Sequence, residues 1–217
     1  MIINIDKPIG WSSFDVVKKI KSITKHKKVG HGGTLDPFAS GVLIIGTEKD
    51  TKKLTYITNS DKSYEAKLEL GKTTKTLDTE GEIICKMEVP ELKSDLIISI
   101  FNTFLGVQKQ RPPMFSAKKH KGIRLYKLAR KNIEVDRKDV DIVINNLDLI
   151  DYDKNSIKFH VECSKGTYIR VLGKDIAEKL GTVGYLSSLK RTKVGTYLID
   201  ESLSIESFQS QWKSTEI

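Results

Sequence analysis

Apolar positions along this chain switch between two spacings. Phe14, Val17, Ile20 and Ile23 recur every third residue behind Ser12 and Ser13, either of which can cap a helix. Val42 to Ile45 is an unbroken apolar run, which predicts a short buried strand. From Tyr64 the period becomes two: Tyr64, Ala66, Leu68 and Leu70 alternate with Glu65, Lys67 and Glu69, a half-buried strand. Helical spacing returns over 94–105, with Leu96, Ile97, Ile100, Phe101 and Phe104 on one side. Strands are predicted near 140–150 and over 156–163, where Ile157, Phe159 and Val161 alternate. Gly166 to Arg170 then leads into a helix carrying Leu172, Ile176 and Leu180 and closed by Gly181. Between these elements, Gly30 to Gly41 reads as a glycine-rich loop broken by Pro37. Residues 108–121 contain Pro112-Pro113 and little periodicity, which predicts an exposed arm, followed by a short basic helix over 122–132. The sum is one α+β (mixed α/β) domain over 1–217 with an insertion at about 105–135.

Composition sharpens this in two places. With 38% apolar and 30% charged residues the chain reads as a soluble globular protein. Its apolar runs are too short to cross a bilayer, and Met1 to Asp6 does not resemble a targeting segment. Cys85 and Cys163 form no CxxC pair and are expected to be buried free thiols in a reducing cytoplasm. The net charge of +9 is unevenly spread: residues 108–131, including Lys118, Lys119 and Lys121, hold no acid, and Lys18 to Lys28 carry six lysines. Such clusters suit a polyanion, because each neutralised phosphate releases counterions, but a solvated lysine-rich surface explains charge alone equally well.

Several chemistries are excluded. Gly71-Lys72-Thr73 lacks the first glycine of a phosphate-binding loop, since Ala66 stands there, and Gly30-His31-Gly32 lacks the third glycine of a dinucleotide loop. The histidines at 26, 31, 120 and 160 have no metal-ligand spacing with each other or with cysteine. What remains is Asp36, held out of helical geometry by Pro37 and preceded by glycines that let the backbone approach a bulky ligand. Two readings stay open on these residues: a nucleophile or base at the floor of a pocket, or an Asx-turn that starts the next segment.

The run Gly-His-Gly-Gly-Thr-Leu-Asp-Pro-Phe-Ala-Ser-Gly-Val-Leu, residues 30–43, resembles the catalytic motif of TruB-type tRNA pseudouridine synthases. Asp6 to Ser13 resembles the family's N-terminal Lys-Pro-x-Gly-x-Ser motif, and Lys62-Ser63-Tyr64 its Lys-x-Tyr strand. Segments 74–81, 110–117, 166–170 and 186–195 follow in family order, so the resemblance spans roughly residues 3–200. Gly32-Gly33 stands where the family pattern has Thr-Gly.

The resemblance implies a pseudouridine synthase fold with a central, mostly antiparallel sheet flanked by helices. It also implies isomerisation of the uridine at position 55 in the T loop of tRNA, with the base flipped out. Asp36 matches the catalytic aspartate, Arg170 the arginine that pairs with it, and Tyr64 the tyrosine that stacks on the target base. His31, Tyr168 and Leu189 match residues that contact the substrate, and the arm with Lys118, Lys119 and Lys121 matches an RNA-gripping insertion. Attack at C1′, addition at ring C6 and a glycal route are all open for the carboxylate. Neither metal nor cofactor is implied, because the reaction is a redox-neutral isomerisation. Only 22 residues follow Gly195, so no C-terminal PUA domain is expected; this argues against guide-RNA-dependent relatives. A cytoplasmic monomer acting on the tRNA T stem-loop, without a membrane or guide RNA, is the resulting expectation. The rival readings are a synthase with another RNA target and a non-catalytic tRNA-folding chaperone.

Overall fold

The computed structural model describes residues 1–214. From the N-terminus, β1 (Ile2–Lys7) leads through α1 (Ser13–Thr24) to β2 (Val29–His31), β3 (Ser40–Thr47), a 3-10 turn and α2 (Leu54–Asn59). β4 (Lys62–Leu70), β5 (Lys72–Thr74) and β6 (Ile83–Lys86) come next, then α3 (Ser94–Asn102) and β7 (Gly106–Gln110). The short strands β8 (Lys119–His120) and β9 (Ile123–Arg124) precede α4 (Leu125–Ala129). β10 (Val140–Tyr152), β11 (Ser156–Cys163), α5 (Ile169–Lys179), β12 (Gly184–Val194), β13 (Tyr197–Leu198) and α6 (Ile205–Ser214) complete the described chain. Two compact units emerge: residues 1–65 with the chain from Leu189 onward, and Ala66–Ser188.

In the first unit β3 is the axis. One of its edges pairs antiparallel with β1, Ile3 opposite Ile45 and Ile5 opposite Leu43. A strand has two edges, so β2 and β12 share the other: β2 takes Ile45 to Thr47, and β12 runs parallel to Ser40 and Gly41. Both faces of β3 are covered, which is why its sequence is a continuous apolar run rather than an alternating one. Leu43 and Ile45 pack with Val16, Val17 and Ile20 of α1 and with Ile205 and Phe208 of α6. Val42 and Ile44 pack on the opposite face with Leu54 of α2 and Val194.

Ser12 caps α1 in a reciprocal capping box with Asp15, and that cap sets the helix register. Val16, Val17, Ile20 and Thr24 then face the core, whereas Phe14 is 60% exposed, with the Lys18 ammonium 4.7 Å from its ring centre. Phe14 therefore lies off the buried stripe where the sequence pattern had placed it.

The second unit is built on neighbouring strands β12, β4, β11, β10 and β7. β10 and β11 form a long hairpin, Leu147 opposite Val161 and Leu149 opposite Phe159. β10 pairs antiparallel with both β11 and β7, and the parallel β12–β3 pairing of the first unit makes the architecture mixed. α5 packs Gly173 where an added Cβ would lie 2.9 Å from Leu186.

Four boundaries differ from the sequence pattern. The predicted helix over 94–105 ends at Asn102, and Phe104 is buried from the following turn. Residues 106–110 form the edge strand β7 rather than the start of an arm, because Gly106 to Gln110 pair with β10. The helix expected over 122–132 is confined to α4, since Ile123 and Arg124 pair back onto His120 and Lys119. The ends of the expected 30–41 loop are taken by β2 and β3. Cys163 is buried as expected, but Cys85 is exposed on the β5–β6 hairpin.

Candidate active site

Asp36 lies in the segment that leaves β2 and returns as β3. The backbone on either side of it is held residue by residue. Gly32 donates its N–H to the Ile44 carbonyl at 2.8 Å as the chain peels away from β3. The Gly33 and Thr34 carbonyls accept from the two terminal nitrogens of Arg191 at 3.3 and 3.4 Å. The Leu35 N–H donates to Ser13 Oγ at 2.8 Å, and the same hydroxyl donates to the Leu35 carbonyl at 2.9 Å. The Asp36 carbonyl accepts from Ala39 N–H at 3.1 Å. The Pro37 carbonyl accepts from Gly10 N–H at 2.8 Å and from Lys7 Nζ at 3.4 Å.

Beside the backbone bonds, three of the groups doing this are buried polar side chains, of a kind that rarely goes inside a protein without partners. Lys7 continues the inward alternation of Ile3 and Ile5 and is fully buried, its ammonium reaching Trp11 O at 2.6 Å and Pro8 O at 2.8 Å. Ser13 is the first residue of α1, so the helix cap and the loop bonds share one location. Arg191 is 1% exposed and arrives on β12. Gly33, at φ +103°, takes a conformation open to glycine, and an added Cβ would be 3.9 Å from the Arg191 guanidinium. His31, the last residue of β2, and Leu189, buried at 6%, belong to this same unit. Tyr64 also does, and at 8% exposure it lies on the buried phase of β4 as its spacing predicted.

In the second unit Arg170, the second residue of α5, is 4% exposed and forms an ion pair with Asp78 at 3.2 Å. Its terminal nitrogens also donate to the Thr76 carbonyl at 2.6 Å and the Phe115 carbonyl at 2.7 Å. Asp78 is 2% exposed and held in turn by the Glu80 N–H at 2.9 Å and by the Thr76 hydroxyl. One guanidinium thus ties the turn between β5 and β6 to the start of the arm. A buried pair of this kind persists because its remaining donors and acceptors are also satisfied. Tyr168 precedes α5, and the side chain of Gln110 grips it twice, accepting from its N–H at 2.8 Å and donating to its carbonyl at 3.1 Å.

Lys118, Lys119 and Lys121 are exposed, the last two on the β8–β9 hairpin. Its turn residues Lys121 and Gly122 both have positive φ, 47° and 83°, the geometry of a two-residue turn that matches strand twist. A cavity of about 790 Å³ opens beside this arm, lined among others by Leu77, Met114, Phe115, Arg137 and Lys174. Asp175 also lines it, and burial pushes that carboxyl above its usual value. None of the sequence-predicted site residues lines this cavity. Among the described residues no group of three or more His, Cys, Asp or Glu could hold a metal ion, and no helix is long and apolar enough to cross a membrane.

Sequence reasoning did not assign Ser13, Asp78, Gln110 or Arg191. Each stands inside or beside a segment that resembles a family motif, but a hydroxyl or guanidinium turned inward has no periodic signature.

A family model described as TruB family pseudouridylate synthase (N terminal domain) matches residues 21–169. The tRNA pseudouridine synthase B of Clostridium tetani (strain Massachusetts / E88) is 44% identical over 210 residues, covering 97% of this chain and 73% of its own length. That of Clostridium kluyveri is 46% identical over 210 residues, covering 97% and 72%. For the Psychrobacter cryohalolentis protein of the same name the figures are 42% over 214 residues, 96% and 60%, so this chain is shorter than each of these relatives. Among solved structures, a chain of the "Crystal Structure of a Cbf5-Nop10-Gar1 Complex" superposes with a TM-score of 0.78 at 30% identity, covering all of this chain and 56% of that one. With the family model matching more than half its length and relatives above 40% identity, this chain belongs to the TruB family of pseudouridylate synthases.

Proposed function

We propose that this protein isomerises uridine to pseudouridine in tRNA, that its target is the T-loop uridine at position 55, and that Asp36 is the catalytic carboxylate. The observation that carries the assignment to Asp36 is the pinning of the backbone around it, from Gly32 through Pro37. A loop that served only as a turn would not call for buried Lys, Ser and Arg side chains on its carbonyls. A reacting group, by contrast, gains from being fixed before substrate arrives.

The isomerisation breaks the bond from C1′ to N1, turns the base and joins C1′ to C5. Inside a stack these atoms are out of reach, so the nucleotide must flip out, at a cost of a few kcal/mol that stacking and backbone contacts offset. Tyr64 offers an aromatic face, while Arg170 favours the ionised form of Asp36, as the resemblance implies. His31, Tyr168 and Leu189 hold the nucleotide, and Lys118, Lys119 and Lys121 grip the phosphates of the T stem-loop. The protein works as a cytoplasmic monomer, without guide RNA, metal or cofactor. The greater identity to proteins named tRNA pseudouridine synthase B than to the Cbf5 complex chain supports the guide-free reading.

The test is to incubate the purified protein with an unmodified tRNA transcript and map pseudouridine by nucleotide. Product at the T-loop uridine, lost in Asp36→Asn, is the expected result. Product elsewhere would move the target, and tight binding without any product would favour a folding chaperone.

A further inference from the structure

We infer that Arg191 is a positioning residue for this reaction: from β12 its buried guanidinium fixes the peptide planes that present Asp36. The inference rests on the reading of Asp36 proposed above.

Three observations carry it. First, the guanidinium is anchored before it reaches the loop. Its Nε donates to the Val42 carbonyl of β3 at 2.7 Å, which leaves both terminal nitrogens for Gly33 and Thr34. The two loop carbonyls are thereby referenced to the central strand of the unit. The fit is close, because an added Cβ at Gly41, the residue opposite Arg191, would lie 2.2 Å from the Arg191 carbonyl.

Second, the peptide between Thr34 and Leu35 is gripped at both ends. Its carbonyl accepts from Arg191 and its N–H donates to Ser13 Oγ. A planar trans peptide held at both ends cannot rotate. The orientation of Leu35, one residue before Asp36, follows from that plane.

Third, Arg191 has only neutral partners. Among the described residues it faces carbonyl oxygens and no carboxylate. Burying a guanidinium is costly, and an apolar side chain would have joined β12 to β3 without that cost. A planar fork of fixed donors is what those three carbonyls need, and lysine could not supply it.

The test compares Arg191→Lys, which keeps the charge but loses the fork, with Arg191→Met, which loses both. Both are assayed at a temperature where circular dichroism shows them folded. The expected result is a single-turnover rate on T stem-loop RNA about 100-fold lower in both variants, with RNA affinity within about threefold of the parent. A rate within about threefold of the parent in either folded variant would overturn the inference. So would a loss confined to RNA affinity. Should neither variant fold, the unmodified protein decides. In its NMR spectrum the Arg191 terminal N–H protons should be separate and slow to exchange, and a single averaged signal would overturn the clamp. Asp36→Asn is run in parallel: retained turnover there sinks the catalytic reading, whereas the guanidinium signal tests Arg191 on its own.

Discussion

Residues 32–39 and residues 111–139 are both excursions that leave one strand and return as a neighbouring one, and they are held to different extents. The first is short and its backbone polar groups are gripped by buried side chains, Lys7, Ser13 and Arg191. The second is long and basic. Beyond its start, where the buried Arg170 guanidinium holds the Phe115 carbonyl, surface pairs such as Arg111 with Asp139 and backbone bonds such as Leu125 N–H to the Lys118 carbonyl brace it. Exposed ion pairs contribute about 0–1 kcal/mol each, whereas cutting a buried polar contact costs more than the contact is worth, because its partner is left without water. On the proposed function the contrast would separate two jobs: a reacting group needs a fixed frame, and a grip on a flexible polyanion needs reach.

That division can be broken experimentally. Asp36→Asn should lower single-turnover pseudouridine formation by at least about 10⁴-fold, while tRNA affinity stays within about tenfold, or 1.4 kcal/mol, by filter binding. Undiminished turnover would detach the chemistry from the fixed loop. Asp78→Asn should cost about 1–3 kcal/mol in urea denaturation, because it removes one buried charged partner of Arg170 while keeping its shape. A loss below about 1 kcal/mol would show that the pair behaves as if it were exposed. Ser13→Ala removes both bonds to Leu35 and is expected to destabilise by about 1–3 kcal/mol. Turnover should slow even in the folded variant, and stopped-flow assays below the melting temperature read it. The smallest effect on chemistry belongs to the arm. Changing Lys118, Lys119 and Lys121 together to Glu should weaken tRNA binding and flatten the slope of log affinity against log salt by about 2–3. The rate on saturating RNA should stay the same, and an unchanged slope would remove the arm from phosphate binding.

How much of this the sequence carried depends on whether a residue's role repeats along the chain. The strand from Tyr64, the buried run at Val42 to Ile45 and the helix after Arg170 were legible because their apolar positions recur. Phe14 misled, since any apolar residue at helical spacing counts toward the stripe, and only the Ser12–Asp15 cap fixes which face turns inward. The β5–β6 hairpin has little burial, its β6 residues being exposed throughout, so no core pattern marks it. Cys85 stands there and was expected inside because thiols usually are. The cations were the hardest to read. In a chain with a net charge of +9, no periodicity separates Lys7, Lys62, Arg170 and Arg191, all buried, from the lysines of the arm; Arg170 was singled out by its family resemblance alone. What distinguishes them is a set of carbonyl acceptors, local for Lys62, mostly local for Lys7, and brought by distant segments for Arg170 and Arg191.

The order in which the chain leaves the ribosome adds a consequence to the make-up of the first unit. The second unit is one contiguous stretch, whereas the first takes residues from both ends of the chain. Asp36 is synthesised early, but the guanidinium that grips its loop is not made until residue 191, after every residue of the second unit. Domains tend to fold as units during synthesis, so a nascent chain can make most of its second unit while the loop around Asp36 still lacks its Arg191 contacts. A product that stops short of β12 would carry the aspartate without the Arg191 clamp, so its loop would lack the guanidinium that grips the Gly33 and Thr34 carbonyls.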